Sequence, residues 1–166
     1  MLDEKIVTFL REQTKGVKHS GRTFFQHLTG VYNLLNWRGL PDYVCLAGLF
    51  HSIYGTNIFT HRAMLIGERN KVRHLIGSEA ERLAYIFCSC NRPMALVEAA
   101  KRGSPYHVVN RRNGEIIQLS TADMIDLLEI EAANLEDQGG GQMLPDVREA
   151  LDAVVGGRGT VSAANR

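Results

Sequence analysis

Hydrophobic and polar positions repeat at helical spacing along most of this chain. Leu2, Ile6, Phe9 and Leu10 share one side of a 3.6-residue repeat, and Asp3 is placed to serve the free amides at its start, which predicts a first amphipathic helix. After the loop TKGVKHSG, Thr23 with Gln26 three residues later has the form of a capping box. A second helix therefore begins near Phe24, turns Phe24, His27, Leu28, Val31, Leu34 and Leu35 inward, and stops at Gly39. Pro41 has no amide to lose and suits the first turn of a third helix. Val44 to Phe50 is apolar nearly all round, which marks that helix as central, and His51 stands at its end.

Downstream, Ser78 and Glu81 repeat the capping-box pattern ahead of a stripe of Ala80, Leu83, Ala84, Ile86 and Phe87. Pro93 opens a helix that Gly103 ends. The segment HVVNRRNGEIIQL contains Asn113-Gly114, a dipeptide that favours a tight turn with positive φ, and predicts a short β-hairpin. Ser120 or Thr121 then caps a long helix to about Glu136, with Met124, Ile125, Leu127, Leu128, Ile130 and Leu135 at helical spacing. Asp123 lies in its first turn, where a carboxylate also interacts favourably with the helix dipole. QGGGQ breaks the pattern, PDVREALDAVV gives a last short helix, and GGRGTVSAANR reads as a flexible tail. The expected architecture is all-α with one short β-hairpin: a helical domain over 1–137, a linker and short C-terminal helix packed on it over 138–155, and a tail over 156–166.

Composition narrows the partners. At 166 residues the chain suits one domain with a full core. Nineteen basic against eighteen acidic side chains leave a net charge of +1, so no global field recruits a nucleic-acid polymer or an anionic membrane, and an anionic ligand must be gripped locally. No apolar run reaches spanning length, and MLDEKIVTFLREQ lacks the uncharged core of a signal peptide. Cys45, Cys88 and Cys90 are too few and too unevenly spaced for a disulfide framework or zinc ribbon, and read as reduced thiols of a cytoplasmic protein.

The candidate chemistry lies where polar metal-ligand types interrupt apolar helices: His27, His51 and Asp123. A lone histidine on an apolar helix is more often a core residue bonded to a carbonyl. Two histidines and a carboxylate form a plausible set for one divalent cation, Mn, Fe or Zn.

In order and context these residues resemble the HD superfamily of metal-dependent phosphohydrolases, and in pattern are most similar to the hydrolase domain acting on guanosine tetraphosphate in the stringent response. Gly21, His27, Gly30 and Val31 fit the first motif; Ala47-Gly48-Leu49-Phe50-His51-Ser52 resembles its AALLHD segment; Ser120-Thr121-Ala122-Asp123 resembles the late segment ending in aspartate. The resemblance covers roughly residues 15 to 130 and implies an HD-like helical bundle holding one divalent cation through His27, His51 and Asp123. It departs at Ser52, where the family has an aspartate ligand, and at Gly55 and Thr56, where it has an acidic pair that assists attack by water.

The resulting expectation is hydrolysis of a phosphoester in a small anionic metabolite or nucleotide. Ser52 and Tyr54 stand inside the altered motif as candidates to orient water and substrate, and His61 as a substitute fourth ligand. Arg22, Arg62 and Arg69 are the candidate substrate-binding residues, with His19, Lys71, Arg73, Arg111 and Arg112 as further basic groups able to reach an anion. Two other readings stay open: a non-catalytic ligand-binding or regulatory module, and an Fe-dependent oxygenase built on a two-histidine, one-carboxylate site. A homodimer is compatible with each.

Overall fold

Local capping signals set the starts of three helices. The structure, a computed structural model, describes residues 2–163, with side chains through residue 157. Helix α1 (Glu4–Gln13) starts where the Asp3 side chain accepts a hydrogen bond from the Lys5 amide. Two residues each of β1 (Lys18–His19) and β2 (Arg22–Thr23) form a minimal antiparallel hairpin, turned by Ser20 and Gly21 at positive φ. Helix α2 (Phe24–Trp37) begins on the complete capping box of Thr23 and Gln26. Helix α3 (Asp42–Leu49) follows Pro41 and runs into turns over 50–54.

After an irregular loop come a 3-10 turn (Ile66–Glu68), α4 (Arg69–Ile76), α5 (Ser78–Ser89) and α6 (Met94–Arg102). The hairpin predicted around Asn113-Gly114 is β3 (Tyr106–Val109) paired with β4 (Ile116–Leu119). Helix α7 (Thr121–Asp137) opens on a capping box of Ser120 and Asp123, and α8 (Leu144–Ala163) follows the glycine break. The described chain is thus mostly helical, with two small antiparallel hairpins. None of its helices is long and apolar enough to cross a membrane.

Helix α7 is the hub: it packs against α2, α3, α5, α6 and α8. The core it organises includes Phe24, Leu28 and Leu35 of α2, Leu49 and Phe50 at the end of α3, and Phe87 of α5, each essentially sealed from solvent. Each such side chain contributes about 1.5–3 kcal/mol through burial. Two glycines permit close approach. A methyl on Gly48 would overlap Leu35 where α3 crosses α2, and a methyl on Gly30 would overlap the Asp137 carboxylate at the end of α7.

The structure differs from the sequence reading in several places. The hairpin at 18–23 and helix α4 were not foreseen; α4 is polar apart from Val72, Leu75 and Ile76, of which Val72 and Ile76 are buried and Leu75 partly so. Ser78 and Glu81 do not form a capping box: Gly77 occupies the cap, and the Glu81 side chain is buried against other partners. Residues 156–166, expected to form a tail, fall partly in the end of α8 and partly, at 164–166, outside the described residues.

Candidate functional site

His27 lies in the first half of α2 and His51 just past the C-terminal cap of α3, and the packing of these two helices brings the fully buried imidazoles together. Their Nε2 atoms are 3.1 Å apart. On its other side His27 Nδ1 is 2.6 Å from Asp137 Oδ2, and His51 Nδ1 is 2.7 Å from the Gly48 carbonyl oxygen. A carboxylate and a carbonyl can only accept, so each neutral ring carries its hydrogen on Nδ1. That leaves two Nε2 lone pairs facing one another. The arrangement repels unless a cation or a proton sits between them.

Electrostatics keep both rings neutral. Burial is the main force pushing the His27 imidazole down to about 2, with the charges of His51, His19 and Arg22 acting the same way. Burial likewise pushes His51 down to about 3, with help from the charge on Arg92. The Gly48 carbonyl opposes this at His51, and the Asn134 side chain acts in the same opposing sense on both rings. The Asp137 carboxylate also favours a proton on His27, and with Nδ1–H already directed at it, this interaction fixes the tautomer more than it charges the ring.

Around this pair lies a polar network set in apolar packing. Arg22 on β2 contacts the Asp137 carboxylate and donates to the Asp137 carbonyl oxygen at 2.7 Å. Buried Arg92 donates to Glu131 Oε1 at 2.7 Å, and Asn134 Nδ2 donates to the same oxygen at 3.2 Å. Gln138 Nε2 donates to Asn134 Oδ1 at 2.8 Å. His19, half-buried on β1, meets the His27 ring edge-on at 4.3 Å and stacks flat on Phe59 at 4.4 Å. Outside them an open depression with a basic rim is lined by Lys18, His19, Arg22 and Gln26, while the imidazole pair beneath is sealed from solvent.

The three expected metal ligands do not all meet. His27 and His51 do; Asp123 does not. It closes the capping box at the start of α7 and accepts hydrogen bonds from Arg82 on α5 at 2.5 and 3.1 Å. Asp137, which touches His27, lies fourteen residues further along the same helix, about 21 Å at 1.5 Å per residue. Burial would raise the Asp123 pKa, but hydrogen bonds from Arg82 and Ser120 outweigh it and hold the carboxyl below 3.8. With Asp123 at the far end of α7, it cannot complete a two-histidine, one-carboxylate set, and Asp137 engages Nδ1 of His27 rather than the Nε2 face.

Other expected residues have structural partners. Tyr54 is buried and donates to Glu81 Oε1 at 3.0 Å; Arg69 grips the same carboxylate through Nε and Nη2 at 2.6 and 2.9 Å, so neither is a free substrate contact. Arg73 joins that cluster, and Lys71 pairs with Glu68. Arg111 and Arg112 donate to the carbonyl oxygens of residues 54, 55 and 88, bracing the loop after α3. His61 is exposed, with Phe24 and Phe59 as its ring neighbours rather than the histidine pair. Arg62 is exposed on the same loop, its stem against Gly55. Ser52 is buried directly after His51, and Arg22 alone of the three expected substrate-binding arginines reaches the cluster.

Asp137, Asn134, Glu131 and Arg92 were missed. Glu131 and Asn134 did carry a signal, as polar residues interrupting the apolar stripe of α7, whereas Asp137 follows Glu136 at a helix end with nothing local to mark it. Among the described residues, no group of three or more histidine, cysteine, aspartate or glutamate side chains could hold a metal ion. The donors that converge are the two imidazole nitrogens.

A family model described as Domain of unknown function (DUF6817) matches residues 9–92, just over half of the chain, and the chain belongs to that family. The matched span carries both histidines of the pair and Arg92, but not α7. No curated protein and no solved structure matches the chain.

Proposed function

We propose that this member of the DUF6817 family is an HD-like protein that holds one divalent cation, Mn, Fe or Zn, at His27 and His51 and hydrolyses a phosphoester in a small anionic metabolite or nucleotide. The observation that carries the reading is the pair of Nε2 lone pairs facing each other at 3.1 Å while both Nδ1 hydrogens are held elsewhere. Two nitrogens each about 2.0–2.1 Å from one cation lie roughly 3 Å apart, so the spacing fits a shared ion. Metal-binding histidines commonly donate the other ring N–H to a carboxylate or carbonyl, the role of Asp137 and Gly48 here.

Charge balance supports an anionic substrate. Arg22 is compensated by Asp137 and Arg92 by Glu131, and both imidazoles are neutral, so a divalent ion would add charge that nothing nearby cancels. A bound cation would supply Lewis-acid activation of water and of a phosphoryl oxygen. Asp137 keeps His27 in the ligating tautomer, and Lys18, His19 and Arg22 at the rim draw the anion in and orient it. The three free, buried cysteines suit a reducing compartment such as the cytoplasm.

A second reading, a ligand-binding module without turnover, is favoured by the residues just after His51. Gly55 has no side chain, and the Thr56 hydroxyl accepts from the amides of Ile58 and Phe59, so no carboxylate base stands where the resembling hydrolases have two. Metal analysis of protein purified without chelator, joined to hydrolysis assays on a panel of nucleotides and phosphate monoesters, tests both. Near-stoichiometric metal, lost in His27→Ala and His51→Ala, with phosphate release supports the hydrolase; bound metal without turnover supports the module. Metal-free protein indifferent to both substitutions overturns the proposed function.

A further inference from the structure

Three arginines gather around Gly55 with no carboxylate to balance them. The segment between β3 and β4 carries Arg111 and Arg112, and its backbone is pinned: the Arg111 amide donates to the Ser89 carbonyl oxygen at 2.7 Å and the Arg112 amide to Asn110 Oδ1 at 3.0 Å. Both guanidiniums reach the loop after α3, where Arg111 Nη2 and Arg112 Nη2 donate to the one carbonyl oxygen of Gly55 at 3.1 and 3.0 Å. Two nitrogens on one oxygen lie within about 6 Å of each other, a separation at which like charges repel. Arg62 adds a third charge, its Cγ 3.0 Å from the point where a Cβ on Gly55 would stand.

A half-buried arginine ordinarily faces a carboxylate. Among the described residues none of these three forms an ion pair, and the acids nearest along the chain or through Tyr54 are engaged elsewhere: Glu81 by Arg69, Arg73 and Tyr54, Glu68 by Lys71, and Glu115 by Asn113. Carbonyl oxygens hold the guanidiniums in place and cancel none of their charge. Arg112 Nε is buried without a partner, and among the described residues neither Nη1 of the pair has an acceptor. Burial and, after it, the charges of Arg111 and Arg62 lower the Arg112 pKa, the mark of a cluster with unrelieved repulsion.

We infer that Arg62, Arg111 and Arg112 form an anion site separate from the histidine cluster, taking a dianionic phosphoryl group, either free phosphate or the phosphate of a small monoester. The assignment does not rest on the metal-binding reading, since it uses none of the residues around His27 and His51. Guanidinium edges match the oxygens of phosphate, and two arginines already held by carbonyl oxygens lose little rotamer freedom on binding. A bound dianion relieves the repulsion among the three, and as a ligand of the folded state it raises the melting temperature.

The test is isothermal titration calorimetry of the full chain with inorganic phosphate and with phenyl phosphate at low ionic strength. Protein is first stripped of metal by chelator and desalted, and wild type is compared with Arg62→Gln, Arg111→Gln and Lys18→Gln. Wild type should bind; binding of the monoester points to a phosphorylated metabolite, binding of inorganic phosphate alone to the free ion. Arg62→Gln and Arg111→Gln should each weaken binding roughly tenfold, the loss of one charge-assisted contact. Lys18→Gln, at the rim of the histidine cluster, should leave it unchanged. No binding of either anion, unchanged affinity in Arg62→Gln or Arg111→Gln, or an equal loss in Lys18→Gln overturns the inference, and none of these results bears on metal binding at the histidine pair. Arg62 is exposed and makes no hydrogen bond among the described residues, so should Arg111→Gln fail to fold, Arg62→Gln decides.

Discussion

Asp137 Oδ2 lies 2.6 Å from His27 Nδ1, a contact that joins the last residue of α7 to the first half of α2 across 110 residues of sequence. It sets which nitrogen of His27 faces His51. Replacing Asp137 by alanine frees the ring to flip and removes the partner of Arg22. Metal affinity should fall roughly 10–100-fold. Chelator competition on the variant and wild type, read beside their thermal melts, checks this; equal affinity would show that the carboxylate has no bearing on the histidine pair.

Asp123 is expected to matter for stability alone. Asp123→Asn weakens the capping box with Ser120 and the pair with Arg82, for a cost of about 0.5–1.5 kcal/mol. Because the folded-state pKa is held below the ordinary 3.8, its contribution is complete above that value and is lost as pH falls through the folded pKa. Urea unfolding of wild type and variant at neutral pH and near pH 3 should show the gap between them narrowing in acid. A gap that widens in acid contradicts the assignment.

Gly30→Ala pushes a methyl into the Asp137 carboxylate. Overpacking of this kind costs about 1–3 kcal/mol, and the better helix propensity of alanine returns about 1. The variant should therefore melt lower than wild type and, with Asp137 displaced, bind metal more weakly. A higher melting temperature with unchanged metal binding would mean that the carboxylate relocates freely.

The cysteines give a check on burial. Cys88 and Cys90 are sealed in the core, and burial pushes both thiols up to about 12, so neither offers thiolate at neutral pH. Cys45 is raised in the same direction for the same reason. A thiol-reactive chromophore should label native protein very slowly and label all three cysteines after denaturation. Fast native labelling would contradict the packing of α5.

Much of the helical framework was legible because its signals are local. The Thr23–Gln26 and Ser120–Asp123 boxes and the Asn113-Gly114 turn depend on residues within a few positions of one another. His27 and His51 stood out because each interrupts an apolar helix, and the structure does join them. Asp123 illustrates the limit. Its resemblance to a late motif suggested a ligand, while its third-residue spacing from Ser120 already described its actual bond. Asp137 was invisible because its role requires an absent side chain on another helix, at Gly30, and no pattern within α7 encodes that. Glu81 failed in the opposite direction: a local capping pattern was present, but Tyr54 and Arg69 offered a buried carboxylate stronger partners than a helix end could.

The glycine at position 30 has a mechanical consequence. With no side chain there, the Asp137 carboxylate occupies the space a Cβ on α2 would fill. The direction in which His27 presents its second nitrogen therefore depends on a vacancy one turn further along its own helix, where any larger residue would compete with the carboxylate for room.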